Sequence, residues 1–168
     1  MPDIMEPRFL LDCNLGRLAK WLRILGYDTV YDRRNIDGHF VERAEKEQRV
    51  ALVRKRNPVG LPKTVPVLVV EADLLEDQLD EILGRLELHP DPARRMTRCL
   101  LCNALLVPLS GEEAASAVPD YVQEKYDDFR RCPLCGRIYW RGTHSQNMEK
   151  FLRSRSPFRR PESFPSHD

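Results

Sequence analysis

The sequence predicts an α/β domain with a mostly parallel sheet, followed by a small metal-supported domain. Over the first 90 or so residues, short apolar segments alternate with amphipathic segments of helical period, which is the pattern of a parallel sheet flanked by helices. Beyond them lie two Cys-x-x-Cys pairs, Cys99 with Cys102 and Cys132 with Cys135. The length of 168 residues is sufficient for both units.

The first strand and helix are indicated by one apolar run and one leucine repeat. Residues 8–11 form a short apolar segment that ends at Asp12, as expected of a buried strand. Leucines then recur at helical spacing over 15–25, and Gly26 is placed as the C-terminal stop. A second strand is predicted at 28–31.

The rest of the domain continues the alternation. A helix is predicted at 38–48, β-branched strands at 50–53 and 65–70, and a closing helix at 73–86. The resulting order, β-α-β-α-β-β-α, predicts a mostly parallel sheet between helical layers.

Composition changes at His89-Pro90-Asp91-Pro92, which we take as the domain boundary. The predicted units are an α/β domain at 1–90, a four-cysteine domain at 91–150, and a basic tail rich in proline and serine at 151–168. The tail has no apolar period and is predicted to be disordered or loosely attached.

The charge balance favours no particular partner. Lysine and arginine total 27 against 26 acidic residues, so any nucleic-acid binding must come from local clusters. No apolar run approaches the roughly 20 residues that span a bilayer, and the N-terminus lacks the pattern of a signal peptide. We therefore expect a cytoplasmic protein with no membrane association.

The two cysteine pairs predict a structural zinc site. Each pair can chelate one tetrahedral ion from a tight turn, and two pairs complete a closed shell of four thiolates. The residues that follow the pairs, Asn103 and Gly136, both tolerate the left-handed backbone of such turns. The alternative interpretation is a redox pair or two unrelated pairs.

Three aspartates are candidates for a second metal site. Asp12 ends a predicted strand, where a parallel sheet presents its ligands, and could bind Mg²⁺ or Mn²⁺ for phosphodiester hydrolysis. The alternative role, capping the next helix, is equally compatible with the spacing. Asp37 and Asp73 also precede predicted helices, where N-capping is the ordinary role of an aspartate.

Basic residues form two clusters near these carboxylates. Opposite the leucines of the first predicted helix lie Arg17, Lys20 and Arg23, and the second cluster includes Arg54 and Lys55. Such clusters contact phosphate backbones, although a basic helix face is more often simply solvated. His144 is a further candidate for phosphate contact.

Several segments resemble the Mut-seven C-terminal ribonuclease family, which is described as a PIN-like nuclease domain followed by a zinc ribbon. The resemblance is carried by these segments: Phe9 to Asp12, Leu15 to Thr29, Asp77 to Leu79, Arg98 to Asn103, Cys132 to Gly136, Ile138 to Trp140, Gly142 and His144. It extends over nearly everything except the tail.

The resemblance implies a three-layer α/β/α PIN-like domain that cleaves RNA with Mg²⁺ or Mn²⁺. Asp12 would be the leading ligand, Asp37 the second and Asp73 the third. The expected partner is RNA, with the ribosome or a tRNA as candidates, contacted by the basic residues named above.

One position departs from the family. Where the family has Leu-Thr-Arg-Asp, this chain has Leu52-Val53-Arg54-Lys55, so an ammonium replaces a carboxylate expected to face the metal. A cation there repels Mg²⁺ but can bind phosphate. A non-catalytic RNA- or ribosome-binding protein is therefore the second hypothesis, and an adaptor whose ribbon docks a protein partner is the third.

Overall fold

The computed structural model describes residues 6–34, 36–54 and 63–154, apart from the side chains of residues 143–145. Within these ranges the chain forms a parallel sheet between helices and a smaller antiparallel sheet, with one pair of cysteines between two of its strands and the other pair in a turn before it. The predicted fold class is confirmed.

Four short strands form the parallel sheet in the order β2-β1-β3-β4. Their bounds are Phe9–Leu11 (β1), Thr29–Tyr31 (β2), Val50–Val53 (β3) and Val67–Val69 (β4). All three pairings are parallel. Because parallel strands begin at one edge and end at the other, the residues after β1, β2 and β3 meet at a common edge.

Helices cover both faces of this sheet, as the three-layer prediction requires. The helices are Gly16–Ile24 (α1), Gly38–Lys46 (α2) and Leu75–Arg85 (α3). Leu11 packs with α1 and α3 in one core, whereas Leu10 packs with Phe40 of α2 in another. Adjacent strand residues therefore both face apolar layers, which explains the continuous apolar run of β1.

The second sheet is antiparallel and has the order β5-β6-β7. Its strands are Val107–Pro108 (β5), Phe129–Arg131 (β6) and Ile138–Trp140 (β7). Two short helices, Gly111–Ala117 (α4) and Asp120–Gln123 (α5), lie between β5 and β6. They bury Ala114, Val118 and Val122 in a satellite core.

The last helix, Thr143–Arg153 (α6), returns to the first domain. Leu152 is 1% exposed within the core that α1 and α3 form, and the ring of Phe151 lies 4.6 Å from that of Trp21. The tail that the sequence predicts starts at 151, but α6 continues to Arg153. The helix extends this far because Phe151 and Leu152 pack on the first core. Residues 155–168 lie outside the described residues.

Gly26 ends α1 in the left-handed conformation, with φ of +97°, as its predicted role requires. It also permits a close contact, since a Cβ there would lie 2.6 Å from the carbonyl oxygen of Arg94. Arg94 closes a 3₁₀ turn, Pro92–Arg94, and the Met96 amide donates to the Ile24 carbonyl at 2.9 Å. The segment 92–96 is thereby fixed against the end of α1.

No helix within the described ranges is long and apolar enough to cross a membrane.

Replacing Leu152 by alanine tests whether α6 completes the first core. We expect Leu152→Ala to lower the free energy of unfolding by about 2–4 kcal/mol, because it removes a fully buried side chain and leaves a cavity. Urea unfolding measures the change. Leu105→Ala, at a side chain 59% exposed, is the matched control and should change stability by less than about 0.5 kcal/mol. Equal effects would contradict the packing described here.

Candidate metal centre and acidic sheet edge

The four paired cysteines converge on one point. Their sulfur atoms all lie within 4.8 Å of one another, with Cys99 and Cys132 buried. Four thiol ligands at this separation fit a tetrahedral ion, and thiolate donors favour zinc among the common divalent metals. The set could therefore hold a metal ion in a closed shell.

The two cysteine turns have the same backbone geometry. Asn103 and Gly136 adopt left-handed φ values of 66° and 71°, which confirms the sequence prediction. In each turn the amide of the second cysteine donates to the sulfur of the first, from Cys102 to Cys99 at 3.3 Å and from Cys135 to Cys132 at 3.5 Å. These amides favour the charged thiolate.

Tyr139 of β7 supports the first turn from outside the ligand shell. Its hydroxyl accepts from the Leu100 amide at 3.2 Å and lies 3.2 Å from the sulfur of Cys99. Burial and the neighbouring thiol raise the pKa of Tyr139, so the phenol keeps its proton and can donate to the sulfur. Such outer contacts orient metal ligands.

Arg23 attaches this turn to the α/β domain. Its guanidinium donates to the carbonyls of Leu100 at 2.7 Å and Leu101 at 3.1 Å, and its Nε donates to that of Thr29 at 2.9 Å. The residue is only 6% exposed. The structure thus corrects the prediction that Arg23 belongs to an exposed RNA-binding face, because carbonyl groups of the chain itself take its donors.

Asp28 and Asn103 form the second part of this junction. The Asn103 side chain accepts from the Thr29 amide at 2.9 Å and donates to the Asp28 carboxylate at 2.8 Å. Arg49, which is buried, also donates to Asp28 at 2.7 Å. Since Asp28 precedes β2 and Arg49 precedes β3, the cysteine turn is docked at the amino edge of the parallel sheet.

Asp12 lies at the opposite, carboxyl edge. It is 2% exposed, and its two carboxylate oxygens accept from the backbone amides of Asn14 and Arg54, each at 2.8 Å. Both amides fix the carboxylate without neutralising it. The Tyr31 hydroxyl donates to the Cys13 carbonyl at 3.0 Å, which further holds the loop that follows β1.

Asp32 is a second buried carboxylate at this edge, and our sequence analysis missed it. It is 7% exposed, follows β2 as Asp12 follows β1, and its amide continues the ladder to the Leu11 carbonyl at 2.9 Å. Asp12 and Asp32 follow the paired residues Leu11 and Tyr31, so they lie at neighbouring positions of this edge. The Asp32 carboxylate accepts from the Arg34 amide at 2.9 Å and pairs with the Arg34 guanidinium at 3.4 Å. The rule that selected Asp12, an aspartate directly after a strand, would also have selected Asp32.

The other two predicted carboxylates have partners of their own. Asp37 caps α2 by accepting from the Phe40 amide at 3.0 Å, and this hydrogen bond lowers the pKa of Asp37. Asp73 is 88% exposed and pairs with the Arg54 guanidinium at 2.5 Å. Within the described ranges, the cysteines are the one group of three or more His, Cys, Asp or Glu side chains that could hold a metal ion.

The predicted phosphate-binding residues separate into three sets. Arg17 and Lys20 are exposed on α1. Arg54 instead directs its guanidinium to the carbonyls of Val70 and Ala72 as well as to Asp73. Lys55 lies outside the described residues, as does the side chain of His144.

Substituting a cysteine tests the metal centre. We expect the purified native protein to contain one zinc ion per chain and Cys132→Ser to contain less than half as much, because a serine hydroxyl stays protonated at neutral pH and supplies no thiolate. Elemental analysis measures the content. Cys13→Ser changes the cysteine outside the cluster and should retain the zinc. Loss of zinc from Cys13→Ser, or full zinc content in Cys132→Ser, would contradict the assignment.

Acidification tests the junction at Asp28. Burial would raise the pKa of Asp28, but hydrogen bonds from Arg49 and Asn103 and the charges of Arg49 and Arg98 outweigh it, and the pKa is lowered. A lowered pKa contributes stability above the ordinary value of about 3.9, and this stability is lost as pH falls through the folded value.

We therefore expect the unfolding free energy of native protein to fall more steeply below about pH 4 than that of Asp28→Asn. Urea unfolding across pH 2.5 to 6 measures both profiles. Metal loss in acid affects both proteins alike, so the difference between them is the quantity of interest. Asp127→Asn, at an exposed position, serves as control. Parallel profiles for native protein and Asp28→Asn would rule out this contribution.

Comparison with known proteins identifies the family. Residues 7–152 match the Mut7-C RNAse domain, a range that includes the acidic sheet edge and all four clustered cysteines. Neither the curated proteins nor the solved structures give a significant match. Because the matched range is most of the 168 residues, this chain belongs to the Mut7-C RNAse domain family.

Proposed function

We propose that this protein is a metal-dependent ribonuclease whose reaction site is the carboxyl edge of the parallel sheet, and that its cysteines hold structural zinc. The observation that carries the proposal is the Asp12 carboxylate, buried and held by two backbone amides. Burying a polar group is costly unless it is hydrogen-bonded, and the two amides satisfy the oxygens of Asp12 at a position next to that of Asp32. The match to a ribonuclease domain family supports RNA as the class of substrate.

The acidic edge fits a hard divalent cation. Mg²⁺ prefers oxygen ligands and commonly uses one or two carboxylates together with water and substrate phosphate. Asp12 and Asp32 would hold such an ion, and the ion would neutralise charge on the phosphate and lower the pKa of a bound water. Asp37 and Asp73 are not needed for this minimal ligand set.

The surrounding residues position the site and attract RNA. The Arg54 amide orients Asp12, while its side chain ties the end of β4 to the end of β3. Arg17 lies in the first turn of α1, which begins four residues after Asp12. Its exposed cation, with that of Lys20, draws a phosphate backbone toward the carboxylates.

A reducing compartment keeps four thiols available for metal. This requirement supports the cytoplasmic location that we propose.

A non-catalytic RNA-binding protein is the second candidate. It is favoured by the pairing of Asp73 with Arg54, which gives that carboxylate a cation of the chain itself in place of a metal. Lys55, at the position where the family carries a carboxylate, adds positive charge next to Arg54 in the sequence. Both features weaken metal affinity, and the added cation of Lys55 favours phosphate.

An RNA cleavage assay with Mg²⁺ or Mn²⁺ tests the proposed function. We expect the native protein to cleave a mixed structured and single-stranded RNA, and Asp12→Asn to be slower by at least about a hundredfold, as when other preorganised electrostatic groups are removed. Asp127→Asn makes the same chemical change at an exposed position in the other domain and should leave the rate unchanged.

The variant Lys55→Asp separates the two candidates. If native protein and Asp127→Asn are both inactive while Lys55→Asp cleaves RNA, the native chain is a binding protein on an intact nuclease scaffold. If all variants are inactive and native protein binds RNA with a steep salt dependence, the ribonuclease proposal fails and the binding function stands.

A further inference from the structure

A cavity of about 520 Å³ lies between α6 and the segment Pro92–Met96. Its volume falls in the range of pockets that take small ligands, about 300–1,000 Å³. Ile24, the last residue of α1, contributes to the wall. Because α1 starts beside Asp12 and ends here, the cavity lies at the far end of this helix from the acidic edge.

The floor of the cavity is apolar and contains sulfur. Met96, Met148, Ile24 and Leu152 all line it. Methionine side chains adapt their shape and make favourable contacts with aromatic rings. This floor suits a flat heteroaromatic group more than a charged one.

The rim of the cavity is strongly basic. Four cations line it, namely Arg95, Arg141, Lys150 and Arg153, against the single carboxylate of Glu149. The formal balance of four positive charges and one negative charge is +3. Glu149 pairs with Arg95 at 3.1 Å and with Arg153 at 3.6 Å, so this carboxylate holds guanidinium groups in place.

The wall opposite α6 is held in position before any ligand arrives. Met96 is tied to the Ile24 carbonyl, and Arg94 packs against Gly26, as described above. The pair between Arg95 and Glu149 then spans the cavity to α6. A site whose walls are already ordered loses less entropy on binding.

We propose that this cavity binds a nucleotide, with the base on the methionine floor and the phosphate among the four cations. Among the described residues the four cations share two acidic partners, Glu149 and Asp128, so the lining keeps an excess of positive charge that an apolar ligand would not use, and an inorganic anion would not use the apolar part of the lining. Arginine recognises phosphate by paired, charge-assisted hydrogen bonds. The ligand is a nucleoside monophosphate unit, either free or within an RNA strand, and this inference goes beyond the proposed reaction at Asp12.

Methyl-labelled methionine provides a direct test in the native protein. The chain has four methionines, and two of them, Met96 and Met148, line the cavity. We expect adenosine 5′-monophosphate to shift the methyl signals of Met96 and Met148 in a saturable way. Inorganic phosphate should bind at least tenfold more weakly, because it does not reach the floor.

A charge-reversed variant and a matched control locate the phosphate. Lys150→Glu with Arg153→Glu should weaken binding of adenosine 5′-monophosphate at least tenfold, since both exposed cations lie on the rim. Lys46→Glu with Lys125→Glu makes the same change in net charge at exposed positions elsewhere and should leave binding unchanged. Thermal unfolding checks that both double variants fold.

The binding experiments can succeed or fail independently of the RNA cleavage assay, because nucleotide binding requires no reaction. A protein inactive toward RNA that still shows these shifts supports the inference. Absent shifts, equal affinity for phosphate and nucleotide, or equal losses in both double variants would overturn it. A 5′-phosphorylated RNA hexamer, tested without added Mg²⁺ or Mn²⁺, distinguishes a free nucleotide from a nucleotide within an RNA strand. If the hexamer binds much more tightly than the mononucleotide, the ligand is an RNA strand. If the two bind similarly, the ligand is a free nucleotide.

Discussion

The Asp28 carboxylate connects three parts of the molecule, and the placement of both candidate sites depends on it. It pairs with Arg49 before β3, with Arg8 before β1 and with Asn103 in the first cysteine turn. Arg49 is itself buried. Arg49 pairs with Glu47 as well, so removing Asp28 would take away one of the two carboxylates that compensate a buried charge, which costs more than losing a surface ion pair. The network thus aligns the sheet and the ribbon together.

This alignment places the two candidate metal sites at opposite edges of one sheet. The cysteine turn is attached where β2 begins, and the buried carboxylates stand where β1 and β2 end. The first cysteine turn therefore lies at the edge opposite the buried carboxylates. Arg23 of α1 and Thr29 of β2 both contact this turn, and α1 also presents Arg17 near the carboxylates.

Local patterns in the sequence were sufficient for the sheet and the cysteine centre. Buried strands produce continuous apolar runs, and paired cysteines followed by Asn103 and Gly136 specify their turns whatever surrounds them. The placement of Asp12 at the carboxyl edge was predicted because it directly follows an apolar strand. Asp32 also directly follows a strand, but we did not select it.

Interactions that depend on distant partners could not be predicted in this way. Arg23 lies next to Leu22 at the border of the apolar face, and its burial follows from carbonyls more than 70 positions away. Phe151 and Leu152 sit among arginines, serines and prolines, so their composition resembled a tail. The structure shows that both side chains pack on the first core.

The return of Leu152 to the first core has a consequence for how the protein is made. Its packing partners on β1 and α1 lie more than 120 positions earlier in the chain. During synthesis, domains generally fold as they emerge, but this core is not complete until Leu152, which follows the ribbon, has been translated. Contacts of such long sequence separation form late and slowly. Until α6 has been made, the α/β domain lacks this helix, and the apolar surface that Leu152 covers in the folded protein stays exposed to solvent.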